Sequence, residues 1–190
     1  NFLLFSSNID KYFKPILTNL KLTIGGTKSN FQNIVNNSDL RTVINSSFNY
    51  GFELRSSFKD FLNFNIGSKW EYNEVKTIFI NSYNENNSFI DLYFILNKKI
   101  NFQLETERYY NSNLDKKNNK YYFMDLELNY VPNKNKLSFS ILANNLFNTK
   151  TFKNYLVDDV SISKTEYRLL PRYILLKIDF RFWNLFTFVT

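Results

Sequence analysis

Residues 48–55 read FNYGFELR, and residues 62–73 read LNFNIGSKWEYN. In both stretches nearly every second residue is apolar or aromatic, and the residues between are mostly polar, charged or glycine. Successive side chains of a β-strand point to opposite faces, so a period of two puts one kind of residue on each face. The two stretches therefore predict β-strands with one apolar face and one polar face.

The same alternation recurs along the whole chain, and no helical period of comparable strength accompanies it. We therefore predict an all-β fold of about eight strands. The predicted strands are residues 16–26, 48–55, 62–73, 88–97, 100–107, 121–130, 137–144 and 173–182.

The connections between these strands alternate in length. The long polar connections lie near residues 28–38, 74–87, 110–120 and 146–165. The short ones lie near residues 56–60, 97–99 and 131–136. This order predicts an antiparallel meander with its long loops at one end and its tight turns at the other, which is the layout of outer-membrane barrels.

Composition excludes several classes of protein. The 190 residues include no cysteine and no histidine, which excludes disulfides, thiolate or imidazole catalysis and the usual zinc sites. We expect no cofactor. The net charge is +7, but Lys and Arg are spread along the chain instead of forming a nucleic-acid-binding motif. We expect no nucleic-acid partner, and we expect basic loops near an anionic surface such as lipid phosphate.

The faces of the predicted strands favour a membrane over water. Soluble β-barrels and sandwiches alternate too, but their apolar faces point into a common core. Here many strands carry an unbroken apolar face of four or five residues, with no charged residue in its middle. On a lipid-facing surface, a basic residue at the bilayer midplane destabilises the barrel by ~2–4 kcal/mol. The opposite faces are rich in charge, as a wet or plugged lumen allows. We therefore predict an antiparallel transmembrane β-barrel.

Aromatic residues near the strand ends give this barrel a direction. If the last strand runs toward the periplasm, the strand at 62–73 runs outward. Trp70 and Tyr72 then lie at the outer lipid boundary, and Tyr130 and Phe182 lie at the inner one. Membrane barrels carry aromatic girdles at both boundaries.

Residues 139–149 (FSILANNLFNT) are followed by TKTFKNY and then by TEYRLLPRYILLKIDFRF. This part of the chain resembles the C-terminal end of a TonB-dependent outer-membrane receptor. The similarity is to the Bacteroidota type, which has a carboxypeptidase-like regulatory domain at its N-terminus, and it spans most of residues 8–182. The features that carry the resemblance are Asn144-Asn145-Leu146-Phe147-Asn148, Pro171-Arg172 and the alternating ending Ile178, Phe180, Phe182.

The resemblance implies a 22-stranded barrel in the outer membrane, with a plug domain, that moves a bound nutrient inward using energy from TonB. Residues 1–182 would then be its C-terminal strands, with a tail at 183–190. The implied partners are outer-membrane lipid, the TonB system, the plug domain and the barrel-insertion machinery, for which Ile178, Phe180 and Phe182 form the assembly signal. A surface lipoprotein lid is a further partner that fits this class. The family normally ends at the position of Phe182, so the tail either moves the signal to Phe186 and Phe188 or leaves it internal.

The start of the chain is predicted to belong to the larger barrel. The sequence begins at Asn1, with no initiator Met and no signal peptide. Phe2–Ser6 resembles the end of an earlier strand, and Asn8–Pro15 is interpreted as the periplasmic turn after it. We therefore expect the C-terminal third of a larger barrel, with the plug, the TonB-contacting segment and most of the substrate site upstream.

Five acidic residues fall on the inward faces of three predicted neighbouring strands. They are Asp91, Glu105, Glu107, Asp125 and Glu127. Paired carboxylates can act as acid and base, as in glycoside hydrolysis, but with no His or Cys to assist them we do not expect an enzyme. We interpret them as a charged lumen wall and hypothesise that it docks basic residues of the plug. The opposing bases within this chain are Arg55, Lys69, Lys177 and Arg181.

Two alternatives of other classes remain open. One is a self-contained eight-stranded outer-membrane barrel with a structural or adhesive role, although five acids would crowd so narrow an interior. The other is a soluble ligand-binding β-barrel. A calcium site at Asp158-Asp159 has no further spaced ligands, so a solvated loop is the expected state there.

Overall fold

The structure is a computed structural model that describes residues 1–36, 39–56, 61–132, 137–158 and 160–180. These residues form eleven β-strands and one short 3-10 helix, Lys14–Ile16, so the predicted all-β class is confirmed. Among them there is no helix that is long and apolar enough to span a membrane. The strands are β1 Phe2–Phe13, β2 Thr18–Asn33, β3 Arg41–Ser56, β4 Leu62–Lys76, β5 Ile80–Asn97, β6 Ile100–Asn111, β7 Lys120–Tyr130, β8 Leu137–Asn144, β9 Thr151–Val157, β10 Ile162–Arg168 and β11 Tyr173–Phe180.

Nine of the strands form one antiparallel sheet, in the order β1 to β8 followed by β11. Strands β9 and β10 form a separate hairpin, inserted between β8 and β11. Among the described residues β1 and β11 are the two edges of the sheet, which does not close on itself. β2 pairs with β1 and β3, so it does not meet β11.

The strand register brings the predicted apolar faces together on one side of the sheet. Leu54 lies opposite Leu20 on one neighbour and Ile66 on the other. Further along, Leu104 lies opposite Leu126. A slip of one residue would turn every side chain of a strand over, so this register keeps one continuous side, here named the apolar face. The other side is named the polar face.

The apolar face is not buried within the chain. Ile174 and Leu176 on β11 are 72% and 66% exposed, and Phe52 in the middle of the sheet is 36% exposed. The whole chain exposes 14141 Å², whereas a folded monomer of this mass exposes about 9,600 Å². Most large apolar side chains therefore have no protein core to enter.

The polar face is concave. One cavity is lined by residues of this face from Asn8 on β1 to Tyr121 on β7, so the sheet curves around it. Gly67 on this face permits a close approach, because a Cβ there would lie 2.6 Å from the Phe89 ring and 2.8 Å from the carbonyl oxygen of Phe52. The convex side is the apolar one.

The predicted turn at Asn8–Pro15 is wrong. Strand β1 continues to Phe13 and pairs with β2 along its full length, so the chain reverses only at Lys14–Ile16, which ends in a left-handed Leu17 with φ 48°. The alternation of this stretch is obscured because Lys11 stands among the apolar side chains of its face.

Two of the predicted long loops are shorter than expected. The loop predicted at 74–87 is only residues 77–79, since β4 and β5 remain paired up to Lys76 and Ile80. The loop predicted at 28–38 begins after Asn33. Beyond the apolar band the apolar face becomes mostly polar while Val75 and Tyr83 lie on the other face, so the alternation is lost although the backbone ladder continues. The eight predicted strands correspond to β2–β8 and β11, and the ninth strand of the sheet is β1.

The other connections agree more closely with the sequence. Residues 112–119 form a loop, and residues 98–99 form a tight turn between β5 and β6. The predicted turns at 56–60 and 131–136 lie partly outside the described residues. Phe182, Arg181 and the tail at 183–190 lie outside them entirely.

Candidate functional site

The polar face brings the predicted acidic residues together. Asp91, Glu105 and Asp125 lie directly opposite one another on β5, β6 and β7. Glu107 and Glu127 lie two residues along their strands, on the same face. All except Glu127 line a cavity of about 630 Å³, here named the acidic cavity.

The hydrogen-bond partners of these acids are neutral. The Asn65 side chain donates to Asp91 at 3.3 Å, and the Tyr109 hydroxyl donates to Glu107 at 2.7 Å. The amides of Gln103 and Asn129 likewise donate to Glu105 and Glu127. No ion pair between described residues includes any of the five acids. Like charges in directly opposed positions destabilise a sheet, so Asp91, Glu105 and Asp125 repel one another across the ladder.

The bases predicted to face the wall have other positions. Arg55 pairs with Glu53 at 2.6 Å, and Lys177 lies 3.1 Å from Asp179. Lys69 lines a different cavity. The fourth base, Arg181, is outside the described residues.

Asp125 also has a local structural role. Its Oδ1 accepts a hydrogen bond of 2.7 Å from the backbone N–H of Asn145, which adopts a left-handed conformation with φ 53°. The Asn145 side chain then donates to the carbonyl oxygens of Thr149 and Leu170 at 2.9 and 2.8 Å. Asparagine tolerates this conformation better than most residues. The sequence Asn144–Asn148 therefore fastens the two ends of the β9–β10 hairpin to the sheet.

The hairpin covers the loop end of the polar face. The ring of Phe152 lies 5.5 Å from that of Tyr109 and 5.0 Å from that of Tyr121. Further out, Val157 packs in a small buried cluster with Val43, Val75 and Tyr83. Much of the segment predicted as a loop at 146–165 thus belongs to the two strands of this hairpin, β9 and β10.

A second cavity, of about 610 Å³, lies between the hairpin and the sheet and is here named the upper cavity. Its lining includes amide groups, charges of both signs and aromatic rings. Representative residues are Asn49, Lys69, Asn87, Tyr109, Phe152 and Lys153. Such a lining can hydrogen-bond and stack against a polar solute. Among the described residues no group of three or more acidic side chains is arranged to hold a metal ion.

Glu71 and Glu85 face each other across β4 and β5 in this cavity. Burial, and secondly the Glu71 charge, raise the pKa of Glu85. Asn111 opposes this by donating to Glu85 Oε1 at 2.7 Å. The sequence prediction missed Glu85 because it falls within the segment 74–87 that was predicted as a loop.

The predicted boundary aromatics lie on the apolar face, near opposite ends of the strands. Trp70 stacks on Tyr50 with the ring centroids 5.1 Å apart, and Tyr72 lies two residues beyond it. Tyr130 stacks on Phe139 at 6.4 Å beside the short turns. The predicted assembly-signal residues Ile178 and Phe180 lie on β11, opposite Phe139 and Leu137.

The comparisons of the chain with protein-family models, with curated proteins and with solved structures find no match. The two faces of the sheet are therefore the basis for its functional assignment.

Proposed function

We propose that this chain is a run of neighbouring wall strands in a TonB-dependent receptor barrel of the outer membrane, which takes up a bound nutrient. The observation that carries the proposal is the exposed apolar face, which extends over nine strands, with a concave polar face behind it. Contact with lipid hydrocarbon would remove the apolar face from water, and this burial contributes a favourable free energy of about 25 cal/mol per Å². The polar face would line the interior.

The spacing of the aromatic residues fits a bilayer. Ile100 lies opposite Tyr130 near the short turns, and Tyr110 lies in the row that contains Trp70. Ten residues of β6 separate these two levels, which is about 34 Å along the strand. At a strand tilt near 40° this becomes about 26 Å along a barrel axis, close to the ~25 Å apolar band of outer-membrane barrels.

The two sheet edges favour a larger barrel over the self-contained eight-stranded alternative. In a sheet of nine antiparallel strands, β1 and β11 run in the same direction. Barrels of a single bacterial outer-membrane chain normally have an even number of antiparallel strands. Antiparallel closure therefore needs an odd number of strands beyond the described ones, which the 22-stranded architecture supplies.

The acidic cavity supports a basic plug domain as the occupant of the interior. Asp91, Glu105 and Glu107 meet only neutral donors from the described residues, so cationic side chains from a plug would balance their charge. The upper cavity and the β9–β10 hairpin lie at the end of the strands that would face outward. We assign ligand capture to that end, together with any surface lipoprotein lid.

Growth on single nutrients tests this function. The full-length protein should fractionate with the outer membrane, and a strain that lacks it should fail to grow on at least one nutrient. Loss of TonB should abolish growth on the same nutrient. Recovery of the protein in the soluble fraction, or growth on that nutrient without TonB, would contradict the proposal.

A further inference from the structure

One polar cluster interrupts the apolar face near its loop end. Ser68 on β4 and Ser88 on β5 share a hydrogen bond of 2.7 Å between their hydroxyl oxygens. The amide nitrogen of Asn86 donates to Ser68 Oγ and to the carbonyl oxygen of Lys69, both at 2.9 Å. Ser68 and Asn86 are 5% and 8% exposed. The cluster is therefore packed in place before any ligand arrives.

Arg108 on β6 completes the cluster. Its Nη1 donates to Asn86 Oδ1 at 2.8 Å, and its Cζ lies 6.0 Å from the centre of the Tyr110 ring. The strand predicted at 100–107 ended one residue before Arg108, so no charge was expected on this face. Arg108 lies opposite Ser88 and Tyr122, which confirms that it belongs to the apolar side.

A second cation lies beside the first. Lys120 is opposite Tyr110, two pairs further along the β6–β7 ladder and on the same face as Arg108, and it is exposed. Diagonal neighbours of this kind have their Cα atoms roughly 7–8 Å apart. Arg108 and Lys120 can therefore contact one anionic group together.

On the described strands β5, β6 and β7, no carboxylate shares the face of these two charges. Along the described lengths of β5, β6 and β7, every Asp and Glu belongs to the polar face. On β4 the apolar face carries Glu74, which already accepts a hydrogen bond of 2.7 Å from the Tyr72 hydroxyl. The described strands β5, β6 and β7 therefore supply no carboxylate for Arg108 and Lys120 on this face.

We propose that Arg108, Lys120 and the Asn86 cluster bind the phosphate group of a membrane lipid. This inference rests on the proposed function, since only in a bilayer does lipid meet this face. Arg108 lies two residues inside the level of Tyr110, so its long side chain reaches the headgroup region. A guanidinium fork fits phosphate oxygens with two parallel hydrogen bonds. Asn86 holds that fork in place, and Lys120 adds a second charge.

Native mass spectrometry of the full-length protein tests the inference. The protein is released from bilayers that contain dioleoyl phosphatidic acid and dioleoyl phosphatidylcholine, and the retained lipids are counted. The wild type should retain phosphatidic acid. The Arg108→Gln/Lys120→Gln variant should retain about tenfold less, as expected for loss of hydrogen bonds to a charged group. Arg108→Lys should lie between them, because it keeps the charge and loses the fork.

Lys28→Gln is the matched control. Lys28 belongs to the apolar face at the same end of the sheet, opposite Leu3 and Ser46, away from the cluster. This variant should retain phosphatidic acid as the wild type does. Equal retention by the wild type and the Arg108→Gln/Lys120→Gln variant would overturn the inference.

Flotation with phosphatidylcholine vesicles separates this inference from the proposed function. A wild-type protein that does not float with vesicles contradicts the membrane assignment itself. A protein that floats, and whose double variant keeps all its phosphatidic acid, contradicts only the lipid site.

Discussion

At the scale of single residues, the carboxylate pair Glu71 and Glu85 lowers the folding stability of the sheet. Glu85 lies opposite Glu71 and is partly removed from water, so its pKa is raised. A carboxyl whose pKa is higher in the folded state stabilises the fold fully below its unfolded pKa. That contribution is lost as the pH rises through the folded pKa. The pair should therefore weaken the outer ends of β4 and β5 at neutral pH.

Glu85→Gln should remove this loss of folding stability at neutral and higher pH. The glutamine keeps an oxygen that can accept the Asn111 hydrogen bond, and it carries no charge to repel Glu71. We expect a gain of up to about 1 kcal/mol at pH 8 and no gain at pH 4. Thermal unfolding at the two pH values measures the difference.

Glu74→Gln is the control for Glu85→Gln, because Glu74 lies opposite Ser46 and Ser82 and faces no carboxylate across the ladder. It should leave the difference between pH 4 and pH 8 unchanged. A Glu85→Gln protein with the same pH dependence as the wild type would show that the two carboxylates do not interact.

Residue positions could be predicted from the sequence only where the alternation was clear. It placed Asp91, Glu105 and Asp125 on one face, and the structure brings these three side by side. It could not predict that Asp125 would fasten a turn, since that hydrogen bond comes from Asn145, 20 positions away. Arg108 was missed because it ends a run of polar residues that has no apolar side.

At the scale of elements, the β9–β10 hairpin is the part of the fold that the alternation did not reveal. Its strands have seven residues each, and β10 is exposed along its whole length. Such a strand does not need alternating apolar and polar residues, because it pairs only with β9 among the described strands and both its faces are exposed. The hairpin is held instead by a few contacts, among them those of the Phe152 ring with Tyr109, Tyr121 and Phe123 of the sheet.

Phe152→Ala should release the hairpin and leave the sheet intact. Truncating this half-buried ring removes its contacts with Tyr109 and Tyr121, at a cost of about 2 kcal/mol, below the 3–5 kcal/mol of a fully buried phenylalanine. Amide hydrogen exchange should then speed up in β9 and β10 and stay slow in β6 and β7.

Leu156→Ala on the same hairpin is the matched control, since Leu156 is 59% exposed and should change exchange little. Uniform faster exchange across the sheet in Phe152→Ala, or unchanged exchange in the hairpin, would contradict the assigned contacts.

The main sheet could be predicted from sequence because its two faces differ in chemistry through most of each strand. The strand ends could not. At residues 74–87 the apolar face carries mostly polar residues and the polar face carries Val75 and Tyr83, so the alternation of the apolar band does not continue and the local pattern fits a loop as well as a strand. The backbone pairing of β4 with β5 shows that most of this segment is strand. Such pairing depends on the neighbouring strand and cannot be predicted from the local sequence pattern.

At the scale of the whole molecule, the five acids of the charged lumen wall are the predicted contact for a plug domain. Glu105→Gln/Glu127→Gln should weaken that contact, since each replaced carboxylate loses a charge-assisted bond to a basic partner. We expect the population with a loosened plug to rise about tenfold. The passive leak of solutes through the full-length protein in liposomes should rise with it. Glu74→Gln, on the apolar face, should not change the leak, and an unchanged leak in the double variant would reject plug docking.

The central claim is that the apolar face meets lipid and the polar face meets the interior. The most direct test uses nitroxide labels on neighbouring residues of one strand, Gln103→Cys and Leu104→Cys, in a background with no other cysteine. Leu104 shares the apolar face with Leu126, and Gln103 shares the polar face with Glu127. In bilayers the label at 104 should be accessible to oxygen dissolved in lipid and protected from a water-soluble nickel complex, whereas the label at 103 should show no such preference. A label at 104 that is shielded from both reagents, with the label at 103 open to the nickel complex, would show a soluble protein with a dry apolar core.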